Sequence, residues 1–188
     1  MLQDHTKHLQ FRIAGGDESA LRELYECWSG QLFQLAMTII RSRPLAEEIV
    51  EDVFLRIWQQ RSRLEQIENL KSYSYILTRN ISIDYLRKTS GKRIYNLDEV
   101  QLPPLLVEAT PEELMISAEL LKKINLAIND LPPKCRLIFK LVKMDGLKYR
   151  DVALLLNLQL KTVETQMSIA LKRLHNAILF QLPAASRQ

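Results

Sequence analysis

Glycine is scarce in this chain, with 5 in 188 residues, and runs that alternate apolar with β-branched residues are few. Tight hairpins lean on glycine and strands on alternation, so little or no sheet is expected. No apolar stretch approaches the roughly 18 residues of a membrane span, and the N-terminus lacks the apolar core of a signal peptide. Direct membrane insertion is therefore not expected. There are only two cysteines, Cys27 and Cys135, far apart and without CxxC spacing. That fits buried thiols in a reducing cytoplasm better than a disulfide framework. His5, His8 and His175 stand apart from any Cys or carboxylate cluster of metal-ligand type, so neither metal nor cofactor is expected. No phosphate loop or nucleophile constellation occurs, so no catalytic residue is assigned and the chain does not read as an enzyme.

What is present is charge and helical periodicity. Charged residues make up 26% and apolar residues 47% of the chain, the balance of a globular protein. The formal net charge is only +4, but it is unevenly placed. Asn69 to Lys88 (NLKSYSYILTRNISIDYLRK) reads as an amphipathic helix with the stripe Tyr73, Ile76, Leu77, Ile83 and Leu86. Asn80 falls inside that stripe, and Tyr75, Arg79 and Ser82 fall on the opposite face, followed by Tyr85 and Lys88. From Lys71 to Arg93 six cations (Lys71, Arg79, Arg87, Lys88, Lys92, Arg93) meet one anion, Asp84, for a net of +5. Cations among aromatics suit a strand of nucleic acid, because charge follows phosphates and rings stack on unpaired bases. A plain surface helix with snorkelling Lys and Arg accounts for the same pattern.

Gly15-Gly16-Asp17-Glu18 looks like the signature of cyclic-dinucleotide synthases, but that motif belongs on a hairpin of an α/β domain and no strand-like segments precede it. It reads as a helix start with Asp17 as N-cap. Leu21, Leu24, Tyr25, Trp28, Leu32, Leu35, Ala36 and Ile39 then keep helical spacing; Phe33, Met37 and Ile40 add a second apolar side, as in a nearly surrounded helix. Gly30 either kinks this helix or divides it. After a turn at Arg41 to Arg43, Pro44 suits the first position of a helix running to Gln60. That helix buries Ile49, Val50, Val53, Phe54 and Ile57, and shows Glu47, Glu48, Glu51 and Asp52 with Leu55 and Trp58 at its edges. The acids either favour the helix dipole or form a docking face rimmed by exposed apolar side chains.

Asn96 to Glu113 holds Pro103-Pro104 and Pro111, five acids and no Lys or Arg, the composition of a linker. The expected fold is all-α: two small helical domains, residues 1–93 and 113–188, joined by an acidic, Pro-containing linker at 94–112. In the second domain a stripe of Leu114, Leu121, Ile124, Ile128 and Leu131 precedes Pro132-Pro133, and Lys134 to Met144 forms a helix stopped by Asp145-Gly146. Tyr149 to Leu156, the turn Asn157-Leu158-Gln159, and Leu160 to about Ile178 make a helix-turn-helix. Val152, Ala153, Leu156, Leu158, Val163 and Ala170 fall where its helices pack; Lys161, Thr162, Thr165, Gln166 and Lys172 fall outward. Lys134 to His175 carries nine cations and three anions, a net of +6, which favours DNA as partner.

Four stretches in this order carry a resemblance: AEEIVEDVFLRIW (Ala46 to Trp58), TRNISIDYLRK (Thr78 to Lys88), LPPKCRLIF (Leu131 to Phe139) and YRDVALLLN…TVETQMSIALKRL (Tyr149 to Leu174). Over about Gly16 to Ile178 the chain resembles RNA polymerase sigma factors of the extracytoplasmic-function (ECF) class. The resemblance implies a cytoplasmic transcription initiation factor that binds core RNA polymerase and promoter DNA and promotes strand opening. The first domain would be region two, docking on polymerase through Glu48, Glu51, Asp52, Leu55 and Trp58. Tyr73, Tyr75, Arg79, Asn80, Ser82, Asp84, Arg87 and Lys88 would serve the minus-ten element, with Asn80 reading an extruded base. The second domain would be region four, with Lys161, Thr162, Thr165, Gln166, Lys172 and Arg173 serving the minus-thirty-five element. The linker would thread the polymerase cleft. The resemblance also implies restraint by an anti-sigma protein, often membrane-bound. Departures from the family pattern are Tyr73 for Trp, Asn157 for the turn Gly, Gln159 for a capping Ser, and Glu164 and Ile169 at commonly basic positions. A one-component regulator would explain the second domain but not the basic, aromatic helix around Asn80.

Overall fold

The computed structural model describes residues 2–90, 105 and 118–179. Among these residues every regular element is helical. The chain divides into two compact units, Met1–Tyr95 and Asn96–Gln188. The linker expected at 94–112 lies outside the described residues except for Leu105, as do Lys92, Arg93 and Leu114. No helix among the described residues is long and apolar enough to cross a membrane.

The first unit holds α1 (Leu2–Ala14), α2 (Glu18–Ile40), α3 (Arg43–Gln59), a 3-10 turn (Arg61–Gln66) and α4 (Leu70–Ser90). Asp17 caps α2 as its sequence suggests: its carboxylate accepts from the backbone N–H of Ser19 at 2.9 Å and of Ala20 at 3.2 Å. α2 runs through Gly30 without a break, and none of its side chains from Gln31 to Ile40 is exposed. It is the surrounded helix of the unit, with α1, α3 and α4 all packed on it. Arg41 ends it in the left-handed region at φ 56°, its N–H donating to Met37 O. α3 starts at Arg43, and Pro44 lies in its first turn, where the absent N–H costs nothing. Leu24, Leu32, Val53 and Ile57 are wholly removed from solvent, each worth roughly 1.5–3 kcal/mol relative to exposure.

α4 presents a face other than the one its apolar spacing suggests. Ser74, Tyr75, Thr78 and Ser82 are fully buried, whereas Asn80 is exposed and Tyr73, Ile76, Leu77, Ile83 and Leu86 are only half-buried. The reason lies in the hydroxyls. Ser74, Thr78 and Ser82 each donate to the carbonyl four residues back, at 2.9, 2.8 and 2.7 Å. Satisfied in this way, they cost little to bury, and their small size suits a helix packed against both α2 and α3. Tyr75 turns inward with them, and its hydroxyl donates to Gln31 Oε1 on α2 at 3.2 Å.

The second unit holds α5 (Ala118–Asn129), α6 (Pro133–Phe139) continuing as a π-turn (Lys140–Met144), α7 (Tyr149–Leu156) and α8 (Leu160–Leu179). α8 is its centre, with α5, α6 and α7 packed on it. Asn157 closes α7 in the left-handed conformation, φ 53° and ψ 48°. The N–H of Leu158 then reaches back to Ala153 O at 2.9 Å, so an Asn performs the turn commonly given to Gly. Val152, Ala153, Leu155, Leu156, Val163, Met167 and Ala170 are buried. Leu105 is buried too, its backbone exchanging two 2.9 Å hydrogen bonds with the Asn129 side chain.

Candidate nucleic-acid interface

The outward side of α4 carries Asn80, Asp84, Arg87 and Lys88, all exposed, with Tyr73 and Arg79 half-buried beside them. Arg79 Nη1 donates to Asn80 Oδ1 at 3.2 Å, which orients the amide. Its Nε is buried and has no partner. Tyr73 donates to Gln60 Oε1 at 3.0 Å, tying the start of α4 to the end of α3. Asp84 and Arg87 form an exposed pair at 3.5 Å. Two residues of the expected set do not belong to this surface: Tyr75 and Ser82 are fully enclosed. Hydropathy spacing puts both outward because it treats a satisfied hydroxyl as a solvent-facing group. Asn80 differs in the opposite sense, lying at the surface and not in the inner stripe.

On α3, Glu48, Glu51 and Leu55 are exposed, Leu55 to 52%, and Asp52 and Trp58 are half-buried. The Arg61 guanidinium lies 4.7 Å over the Trp58 ring and donates to the Trp58 carbonyl at 3.1 Å. An open groove of about 290 Å³ runs between α3 and α4, flanked by Glu48, Asp52 and Arg56 on one side and Asp84, Tyr85 and Arg87 on the other. Glu48 and Asp52 of the set expected to meet protein and Asp84, Arg87 and Lys88 of the set expected to meet DNA line this one groove.

On α8, Lys161, Thr165, Lys172 and Arg173 are exposed and Thr162 and Gln166 half-buried, so the outward set stays together. Lys161 lies 3.6 Å from Glu164, which offsets part of its charge. One cation of the basic second unit is withdrawn: Lys140 is buried and paired with Asp145. Of the two thiols expected to be buried, Cys27 is exposed and Cys135 is enclosed. Cys135 donates to Gln166 O at 3.3 Å, joining α6 to α8, and burial raises its pKa. Among the described residues no His, Cys, Asp or Glu side chains group as a metal ion would require.

Sequence spacing missed α1 altogether, along with the turn Arg61–Gln66, whose Ser62, Arg63, Glu65 and Gln66 are exposed close to the start of α4. α1 places its few apolar residues, Leu2, Leu9, Phe11, Ile13 and Ala14, too sparsely for a clear helical stripe, and the 6-residue turn is too short to show a period.

Two all-helical units, the first with exposed cations on α4 and the second a basic unit with a helix-turn-helix, fit a nucleic-acid-binding class of protein. Residues 24–92 match the family described as Sigma-70 region 2, and residues 121–174 match Sigma-70, region 4. The chain belongs to the sigma-70 family of transcription initiation factors, in its ECF class. It is 23% identical over 172 residues to the ECF RNA polymerase sigma factor SigK of Mycobacterium tuberculosis (strain ATCC 25618 / H37Rv), covering 89% of this chain and 90% of the relative. It is 24% identical over 165 residues to SigW of Bacillus subtilis (strain 168), covering 83% and 87%. Among solved structures, CnrH in complex with the cytosolic domain of CnrY shares the fold, with a TM-score of 0.52 and 17% identity over 95% of this chain and 99% of that one.

Proposed function

We propose that this sigma factor divides its work between its two units. Residues 1–93 act as region two: Glu48, Glu51, Asp52, Leu55 and Trp58 dock on core RNA polymerase, and the outer face of α4 captures the unpaired minus-ten strand. On that face Asn80, oriented by Arg79, reads an extruded base; Tyr73 supplies a ring, and Arg87 and Lys88 meet phosphates. Tyr75 and Ser82 support this face from inside rather than touching DNA. Residues 113–188 act as region four, with α8 entering the major groove of the minus-thirty-five element through Lys161, Thr162, Thr165, Gln166, Lys172 and Arg173. Residues 94–112 link the two. The factor is non-catalytic and works in the cytoplasm.

The observation that carries this reading is the solvent exposure of Asn80 with Arg79 bonded to its amide oxygen, on a helix whose inner face is already fully satisfied. A polar pair so placed is free to pair with a base edge. CnrH, which shares the fold, is seen bound to the cytosolic domain of CnrY; by analogy this chain is held by an anti-sigma protein, often membrane-bound in this class. Run-off transcription with core polymerase on genomic fragments tests the function directly. The factor should yield defined start sites that neither core enzyme nor factor gives alone. Tight binding of the isolated chain to a duplex promoter would instead favour a one-component regulator.

A further inference from the structure

Gln10 lies on the inner face of α1 and is 2% exposed. Its Nε2 donates to two main-chain carbonyls, those of Leu64 and, at 2.8 Å, Ile67. Both acceptors lie 54 or more residues away, in the segment that ends the 3-10 turn and leads into α4. Gln10 Oε1 is buried without a partner. Packing alone would favour Leu or Met at this place, since neither leaves an orphaned oxygen; what only the amide supplies is a pair of donors.

The turn has need of them. A 3-10 turn has poorer hydrogen-bond geometry than an α-helix and is rarely long. This one is held internally by Arg63 N–H to Gln60 O and Ile67 N–H to Leu64 O, both 2.9 Å. From it the chain passes to Asn69, whose side chain accepts from Ser72 N–H at 3.1 Å and whose carbonyl accepts from Tyr73 N–H at 3.0 Å. Gln60, just before the turn, accepts from the Tyr73 hydroxyl. Anything that lets the turn slide therefore moves the start of α4. The backing of Gln10 is stiff: Leu9 and Ile13 are buried beside it, and Arg12 pairs with Asp17 at 2.8 Å and Glu23 at 3.5 Å.

We infer that Gln10 is a positioning residue for promoter opening: through its amide, α1 braces the Arg61–Gln66 turn and Ile67 after it, and so fixes the geometry in which α4 presents Tyr73, Arg79 and Asn80. α1 precedes the segment that matches the sigma-70 region 2 family. The inference rests on the proposed role of α4 in capturing the unpaired strand.

The test uses the full chain carrying Gln10→Met, which fills the space but donates nothing, beside Leu24→Ala, a core substitution in α2. In Gln10→Met the amides of Arg63 and Ile67 should exchange at least about tenfold faster while those of α2 keep their rates. With core polymerase, permanganate reactivity at the start site should fall by about tenfold on a duplex promoter and by less than about twofold on a pre-melted bubble. Polymerase binding should be unchanged. Leu24→Ala, at equal or greater loss of thermal stability, should show neither the local exchange nor the opening defect. Unchanged exchange at residues 61–67, or opening that falls in both variants in step with stability, overturns the inference. If the wild-type chain opens no promoter, the proposed function fails instead, and the exchange arm still decides whether the brace exists. Should Gln10→Met not fold, Gln10→Asn, whose amide falls one methylene short, takes its place with the same expectations.

Discussion

Lys140 Nζ sits between both carboxylate oxygens of Asp145, at 2.9 and 2.7 Å, with the two side chains 9% and 3% exposed. The pair closes the π-turn that ends α6, where Asp145 N–H also donates to Lys140 O and Leu147 N–H to Leu141 O, each at 2.9 Å. It therefore sets where the chain leaves α6 and enters the helix-turn-helix. Removing one partner strands the other as an unpaired buried charge, at a cost of about 3–5 kcal/mol. Lys140→Met and Asp145→Leu should each lower the stability of the second unit by that order, read as faster amide exchange across α6 to α8. The double substitution should recover most of the loss, because two apolar side chains need no counter-charge.

Asp17 governs an acid-sensitive end of α2. Its carboxylate accepts from the Ser19 hydroxyl, foremost, and then from Arg12, and its pKa falls from 3.8 to about 2. A depressed folded-state pKa means the contribution is complete above the unfolded value and disappears as pH falls through the folded one. The stability advantage of the wild type over Asp17→Asn should thus be constant above about pH 5 and shrink between about pH 4 and pH 2. Thermal melts of both chains across that range measure it. An advantage that does not change with pH would mean that the cap works without its charge.

Asn80→Ala and Arg79→Ala should leave polymerase binding intact and reduce strand opening by about tenfold or more, the usual scale for losing a polar contact made only in the reacting complex. Asn80 is exposed, so neither the fold nor the melting temperature should suffer from its truncation. Permanganate footprinting reads the opening, and a pre-melted template should reduce the defect. Tyr75→Phe provides the contrast: it removes the hydrogen bond to Gln31 inside the unit and should affect stability rather than opening.

Leu55→Ala with Trp58→Ala should weaken association with core polymerase by about 2 kcal/mol or more if the two anchor the interface. That corresponds to roughly thirtyfold in Kd, measurable by fluorescence anisotropy. Leu55 is 52% exposed, so its truncation alone should not unfold the chain. Trp58 has a second role in stacking under Arg61. A stability loss from Trp58→Ala that matches the binding loss would place it in the support of α3 instead.

Much of this molecule follows from neighbours in sequence. The capping of α2 by Asp17, the placing of Pro44 in the first turn of α3, the bounds of α7 and the left-handed turn at Asn157 all depend on atoms within a few residues, so spacing and residue type suffice to find them. The outward set on α8 was legible for the same reason: its apolar residues recur at helical spacing against a single neighbouring core. The inner face of α4 was not. Hydropathy assigns Ser74, Thr78 and Ser82 to solvent, yet each hydroxyl is satisfied within its own helix, and close packing against α2 and α3 then favours these small side chains over Ile76 or Leu77. Tertiary contacts likewise decided that Gln10 serves a turn more than 50 residues away and that Lys140 is a buried partner rather than a surface charge. Periodicity tells which residues share a helix face. Which face turns inward is decided when the helices pack, because a hydroxyl already satisfied four residues back in its own helix costs little to bury.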